Sequence, residues 1–165
     1  MLGVGERFPH FVLIANVGAE ERGFFRSVSD RDYRGKWKVY FFWPKDFTEL
    51  SLAEIVDFGE LLPEFTAREA HLLGCSVESE NAHQAWRKEE QGLRKLALPM
   101  LADTKRELCG ELGILDEAEG VAQRATFIVD TRDVIRFVYV TDASVSRDPG
   151  EVLRVLADLQ GENRP

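Results

Sequence analysis

The sequence predicts an α/β fold in which a central mixed β-sheet is flanked by helices, and three observations carry that prediction. Two runs, "KVYFFW" (Lys38 to Trp43) and "HLLGCSV" (His71 to Val77), are apolar on both faces, as strands in the middle of a sheet are. Between them Leu52, Ile55, Val56, Leu62 and Phe65 recur at helical spacing, and a strand–helix–strand unit of this length makes a right-handed parallel crossover. Further on, "ATFIVD" and "VIRFVYVT" enclose the turn "TRD", the pattern of an antiparallel hairpin.

Taken in order, "FVLIAN" and "FFRSVSD" predict a peripheral hairpin near the amino terminus. Pro44 ends the first buried strand, and the helix that follows is expected to be long, with Gly59 and Pro63 marking a kink. Ser79 is placed to cap a helix running to about Glu90, and Asp103 another running to about Leu112, where Gly113 stops it. The later arm of the hairpin, Ile135 to Thr141, should lie at a sheet edge with Ile135, Phe137 and Tyr139 on one face and Arg136, Val138 and Val140 on the other. Asp148, Pro149 and Glu151 read as a helix start with a capping-box pattern and Gly161 as its stop, leaving "ENRP" as a frayed end. The order βαβ, helices, hairpin, closing helix is that of a thioredoxin-like fold. With 165 residues, 44% of them hydrophobic, and no repeat or linker, residues 1–165 are expected to form one domain.

Charge and cysteine content narrow the function classes. A net charge of −8 provides no broad basic field for a phosphate backbone, so nucleic acid is not an expected partner. No apolar run approaches the roughly 18 residues that span a bilayer, and the start "MLGVGERFPHF" lacks the basic and apolar regions of a signal peptide. A cytoplasmic protein is expected, with no membrane partner. Two cysteines, Cys75 and Cys109, are too few for a disulfide framework and lack metal-ligand spacing, so they read as reduced thiols and neither a metal nor another cofactor is expected.

The turn between the first buried strand and its helix, in "WPKDFTELSLAEI", holds Thr48 and Ser51 where open α/β sheets build their sites. A helix start there offers unpaired N–H groups and the positive end of a dipole, which stabilise an anion and lower the pKa of a thiol. The segment is laid out like a reactive-thiol turn, yet Ser51 stands where a cysteine would act.

The collinear fragments "GERFPHF", "KWKVYFFWPKDFT", "LLGCSVESENAHQAW", "LPMLADTKREL", "GVAQRATFIVD" and "SVSRDPGEVLRVLADLQ" cover nearly the whole chain. Through them the sequence resembles a peroxiredoxin of the typical two-cysteine, alkyl hydroperoxide reductase (AhpC/TSA) type. The resemblance implies the peroxiredoxin variant of the thioredoxin-like fold and thiol-dependent reduction of hydrogen peroxide and alkyl hydroperoxides. It also implies roles for individual residues. Pro44 and Thr48 match the family turn Pro-x-x-x-Thr-x-x-Cys, Ser51 takes the peroxidatic cysteine position, Arg124 matches the arginine that binds the peroxide oxygens, and Glu54 and Arg147 match residues that orient it. Trp86 and His83 match positions near the pocket. The family's carboxy-terminal arm, with its resolving cysteine, is expected to be absent.

An aliphatic hydroxyl is far less acidic than a thiol and has no sulfenic acid step, so Ser51 predicts a peroxidase-inactive homologue with a binding, assembly or regulatory role. A small anion or a peroxide is the expected pocket ligand. Two alternatives stay open: a thiol peroxidase that uses Cys109, and a Cys-to-Ser exchange in an active peroxiredoxin. Against a single exchange, Glu49, Leu50, Leu52 and Ala53 also depart from the family turn. A serine hydrolase would need a base beside Ser51, and His10, His71 and His83 are scattered along the chain. By the same resemblance the partner is a second copy, paired through the strand Ile135 to Thr141, with a ring of dimers as a further assembly.

Overall fold

The computed structural model describes residues 1–18 and 24–161. Among these residues nine strands and six helices follow one another as β1 (Val12–Asn16), β2 (Phe25–Ser29), β3 (Trp37–Phe42), α1 (Glu49–Glu60), α2 (Leu62–Ala67), β4 (Ala70–Ser76), α3 (Glu80–Glu89), α4 (Gln91–Arg94), β5 (Met100–Ala102), α5 (Glu107–Leu112), β6 (Leu115–Asp116), β7 (Val121–Ala122), β8 (Arg124–Val129), β9 (Ile135–Thr141) and α6 (Pro149–Gly161). A 3-10 turn, Asp30–Tyr33, joins β2 to β3.

Seven strands make one sheet in the order β2-β1-β5-β4-β3-β8-β9. The parallel trio β5-β4-β3 sits at its centre, and every other pairing is antiparallel. The crossover from β3 to β4 is therefore parallel, as the two apolar runs imply. Both strands start one residue earlier than the sequence suggests. The amino-terminal hairpin β1–β2 lies at the periphery, where β1 pairs with β5 and extends the main sheet.

Alternation along β3 divides the core in two. Val39 and Phe41, with Trp43 beyond the strand, face a cluster built with Ile55, Phe58 and Phe65 of α1 and α2 and Val152 and Leu156 of α6. Tyr40 and Phe42 face the other side, with Phe8, Phe11, Phe127 and, from α5, Leu108 and Leu112. Gly74 of β4 lets Trp43 pack closely, since a Cβ at 74 would lie 2.6 Å from the indole. Apolar burial on both faces is the main stabilising term for such a sheet.

Several local expectations need correction. The long kinked helix is two helices, broken at Leu61 (φ −91°, ψ 0°), and the first begins at Glu49, before Ser51. Pro63 falls in the first turn of α2, where its missing N–H costs nothing, while Gly59 is buried inside α1 against Leu96. Asp103 does not cap α5 from its flank, because the helix starts after Arg106, which is left-handed (φ 61°). The Asp103 carboxylate instead reaches forward and accepts the N–H groups of Leu108 (3.2 Å) and Cys109 (2.8 Å). At α6, Asp148 accepts from Gly150 N–H (2.9 Å), but the Glu151 side chain pairs with Arg154 instead of closing a capping box. Gly161 is the last described residue of that helix, and the "ENRP" end lies outside the described residues. Ser79 does cap α3, accepting from Ala82 N–H at 3.0 Å.

The hairpin β8–β9 carries a register shift, since Val129 opposes Ile135 while Ile128 opposes Phe137. This bulge turns Ile135 onto the face of Val138 and Val140, leaving Phe137 and Tyr139 on the α1 and α6 side. The simple alternation expected for Ile135, Phe137 and Tyr139 therefore fails at its first residue. β9 does lie at a sheet edge. No described helix is long and apolar enough to cross a membrane.

Candidate functional site

The site begins where β3 ends. Trp43 leaves the strand, Pro44 follows half-buried, and Phe47 takes a left-handed backbone (φ 62°) that swings the chain into α1. Under this turn lies a buried polar knot. Asp46 accepts from Trp43 Nε1 (2.8 Å) and Ser76 Oγ (3.1 Å) and bonds His83 Nδ1 at 2.5 Å, while His83 Nε2 meets the Leu101 carbonyl at 2.9 Å. Both ring nitrogens of His83 are thus engaged in holding the turn. The knot fixes the entry to α1 from below, and nothing in the spacing of these residues along the chain signals it.

Thr48 stands at the N-cap position of α1 with extended backbone (φ −118°, ψ 144°), yet its hydroxyl does not cap the helix. It donates back to the Lys45 carbonyl at 3.2 Å, so the first N–H groups of α1 keep no side-chain acceptor from Thr48. Ser51 follows in the first turn and is fully buried.

Arg124, the first residue of β8, donates from one amino group to Ser51 Oγ (3.2 Å) and Glu54 Oε1 (2.6 Å) and from Nε to the Ala143 carbonyl (3.1 Å). Its other amino nitrogen, Nη2, has no partner among the described residues. Glu54, one turn after Ser51, also accepts from Arg147 twice, at its backbone N–H (2.6 Å) and at Nη2 (3.0 Å). Arg147 binds in addition the carbonyls of Phe42 (2.5 Å) and Ala125 (2.8 Å) and the hydroxyl of Thr126 (3.0 Å), with its guanidinium over the rings of Phe41 and Phe58. Burial pushes the Arg147 pKa down and the Glu54 carboxylate pulls it back up; a group so basic remains a cation. One carboxylate and two guanidiniums leave this buried set one positive charge in excess, at a helix start.

Ser51, Arg124, Glu54 and Arg147 thus meet in one hydrogen-bonded group, with Thr48 and Pro44 on the turn above it. Trp86 does not join them by any hydrogen bond. It packs against Trp43 and Phe47 on the other flank of α1, where it walls a hollow with Thr48, Leu52 and Glu89. Cys109 lies in the core, fully buried, where desolvation and then the Asp103 carboxylate push its thiol far up. Cys75, also fully buried, is raised by desolvation and by Cys109 nearby. No histidine touches Ser51, since His10 pairs with Asp30, His71 lies against Tyr33 and His83 belongs to the Asp46 knot.

The comparisons with known proteins agree with this geometry. Residues 4–138 match the profile of the AhpC/TSA family. Over 170 residues, covering 98% of this chain and 87% of the relative, the sequence is 45% identical to alkyl hydroperoxide reductase C of Mycolicibacterium smegmatis. The chain belongs to the AhpC/TSA family. Its similarity to peroxiredoxin-2 of Bos taurus is 39% over 160 residues, covering 95% of the chain and 78% of that protein. Among solved structures, Mycobacterium tuberculosis AhpC superposes over the whole of this chain and 97% of its own with a TM-score of 0.92 at 44% identity. The mixed sheet flanked by helices is thus the thioredoxin-like fold of AhpC and the peroxiredoxins.

Proposed function

We propose that this member of the AhpC/TSA family keeps the substrate pocket of a peroxiredoxin and lacks its nucleophile, so that it binds small oxyanions or peroxides without turning them over. Ser51 is assigned the place of the peroxidatic cysteine. The observation that carries the reading is the buried Ser51 hydroxyl accepting from Arg124 in the first turn of α1. Family membership and the name of the mycobacterial relative favour peroxide as the ligand chemistry.

The same surroundings act very differently on sulfur and on oxygen. A thiol with an ordinary pKa of about 8.5 becomes thiolate beside a guanidinium and a helix start. An aliphatic hydroxyl stays protonated there, and oxygen offers no counterpart of the sulfenic acid that passes a peroxide oxygen to a reductant. Ser51 therefore accepts a hydrogen bond, or donates one to a bound anion, and goes no further. Arg124 Nη2 and the free N–H groups of α1 supply the remaining donors, and Thr48 borders the same turn. Cys109 makes a poor substitute nucleophile, because desolvation and the Asp103 carboxylate keep its thiol protonated.

Peroxide consumption with a dithiol reductant tests the reading. Wild type is expected to match the uncatalysed background, and Ser51→Cys to exceed it, short of full family rates because Leu52 and Ala53 surround the new thiol. Robust turnover by wild type overturns the proposal, and its loss in Cys109→Ala would move the chemistry to that thiol. Calorimetry with sulfate, acetate and citrate tests the pocket itself, and silence in all three removes it. We also place the protein in the cytoplasm, where two free cysteines are expected to stay reduced.

A further inference from the structure

At the far end of the sheet from Ser51, the amino-terminal segment, the 3-10 turn and the β8–β9 turn close around a hollow of about 370 Å³. The Ser51 turn follows one end of β3 and this hollow adjoins the other, near Lys38, roughly 16 Å away along the strand. Arg7, His10, Asp30, Arg31, Arg34 and Asp133 line it.

Its two carboxylates are already engaged. Asp133 accepts from the buried Lys38 Nζ at 2.5 Å and faces Arg7 at 3.8 Å, and Asp30 accepts from Phe11 N–H at 2.9 Å and meets His10 Nδ1 at 2.5 Å. The guanidiniums of Arg31 and Arg34 have no acceptor among the described residues, and Arg7 adds only a 3.5 Å bond to the Arg132 carbonyl. Arg7, Arg31, Arg34 and Lys38 therefore outweigh Asp30 and Asp133, in a chain whose net charge is −8.

A second observation points the same way. Tyr40 is 1% exposed, its ring is stacked under Phe8 at 4.2 Å, and its hydroxyl has no hydrogen-bond partner. Burial first, then the nearby charges of Asp30, Tyr33 and Asp133, raise its pKa, so it remains an O–H donor without an acceptor. Buried donors are rarely left unpaired in folded proteins, and Phe8, whose ring is stacked on Tyr40, lines the hollow.

We propose that this hollow is a second binding site, taking the phosphoryl group of a small phosphorylated molecule between Arg31 and Arg34 with Arg7 at the rim. Guanidinium forks suit phosphate oxygens, and paired forks favour a dianion over a single carboxylate. The volume exceeds that of one phosphate and falls within the range of small-ligand pockets, which leaves room for an organic body. A polynucleotide is disfavoured by the overall negative charge of the chain.

Calorimetry at constant ionic strength, with inorganic phosphate and with pyrophosphate as probes, tests the site on the full chain. Wild type is expected to bind both. The double variant Arg31→Gln/Arg34→Gln should lose about tenfold or more in affinity, and Arg154→Gln, on the exposed face of α6, should retain binding. Both arginines are exposed, so the double variant should fold, and an unchanged circular dichroism melt checks that it does. Failure of wild type to bind either probe overturns the proposal, as does undiminished affinity in the double variant. An equal loss in Arg154→Gln would mark a general effect of surface charge and equally overturn it.

Discussion

Glu54 holds the candidate site together more than any other residue. Its two carboxylate oxygens take both Arg124 and Arg147, and none of the three residues is more than 4% exposed. Removing the carboxylate leaves two cations in a water-poor interior with only neutral acceptors. Glu54→Ala is therefore expected to cost about 3–5 kcal/mol, read as a fall in the urea midpoint at unchanged slope. Ser51→Ala should cost far less, because Arg124 keeps Glu54 and the Ala143 carbonyl. At this scale the sequence showed which residue types were present and where the turn lay. It did not show the Asp46 and His83 knot, nor that Arg87 is wholly buried with the carbonyls of Leu93, Leu96 and Leu98 as acceptors. Those contacts join residues whose spacing follows no motif, and they become visible only when the chain is folded.

Among the elements, strands were more legible than helix ends. Lys38 to Trp43 and His71 to Val77 are apolar on both faces, so burial itself wrote the signal. The 3-residue β5 was too short to leave one. Helix starts misled where a side chain other than the flanking one did the capping, as Asp103 does for α5. The bulge in β8–β9 was invisible because one extra residue in a strand changes faces without changing composition. Asp130 anchors that hairpin, accepting from Arg132 N–H (2.8 Å), Val134 N–H (3.0 Å) and Arg136 (3.3 Å). Desolvation opposes its ionisation, but these donors outweigh it and hold the carboxyl below its ordinary range. A depressed pKa stabilises the fold above the unfolded value of about 3.9 and is lost as pH falls through the folded one. Stability is expected to decline on acidification below about pH 4. In Asp130→Asn, urea midpoints measured between pH 6 and pH 3 should be lower at neutrality and flatter on the acid side.

For the whole molecule, β9 is an edge strand of the seven-stranded sheet; its first residue, Ile135, already bonds Gly5 and Glu6, and Phe137, Val138, Tyr139 and Val140 lie half-buried along the rest of the edge. Such an edge is a template for another strand, and a two-fold axis through it would let a second copy extend the same sheet. We propose a homodimer through Ile135 to Thr141, with a ring of dimers built across the α1 turn, where Phe47 is 51% exposed. Light scattering at micromolar concentration should give twice the 18.7 kDa chain mass or a multiple of that. Tyr139→Lys is expected to shift the population towards monomer, and a monomer at every concentration would remove the interface.

The two indoles beneath the turn give the protein an optical property of its own. Trp43 and Trp86 are 0% and 2% exposed with ring centroids 6.3 Å apart, and Phe47 lies on Trp86 at 5.8 Å. Their emission should be blue-shifted while the start of α1 stays wound. Unwinding that withdraws Phe47 would let water reach Trp86 and move the spectrum to the red, on the timescale of the opening itself. With the partly exposed Trp37 replaced by Phe, the protein therefore carries an intrinsic fluorescent reporter on the turn that holds Ser51, while a ligand bound near Arg31 would leave that emission unchanged.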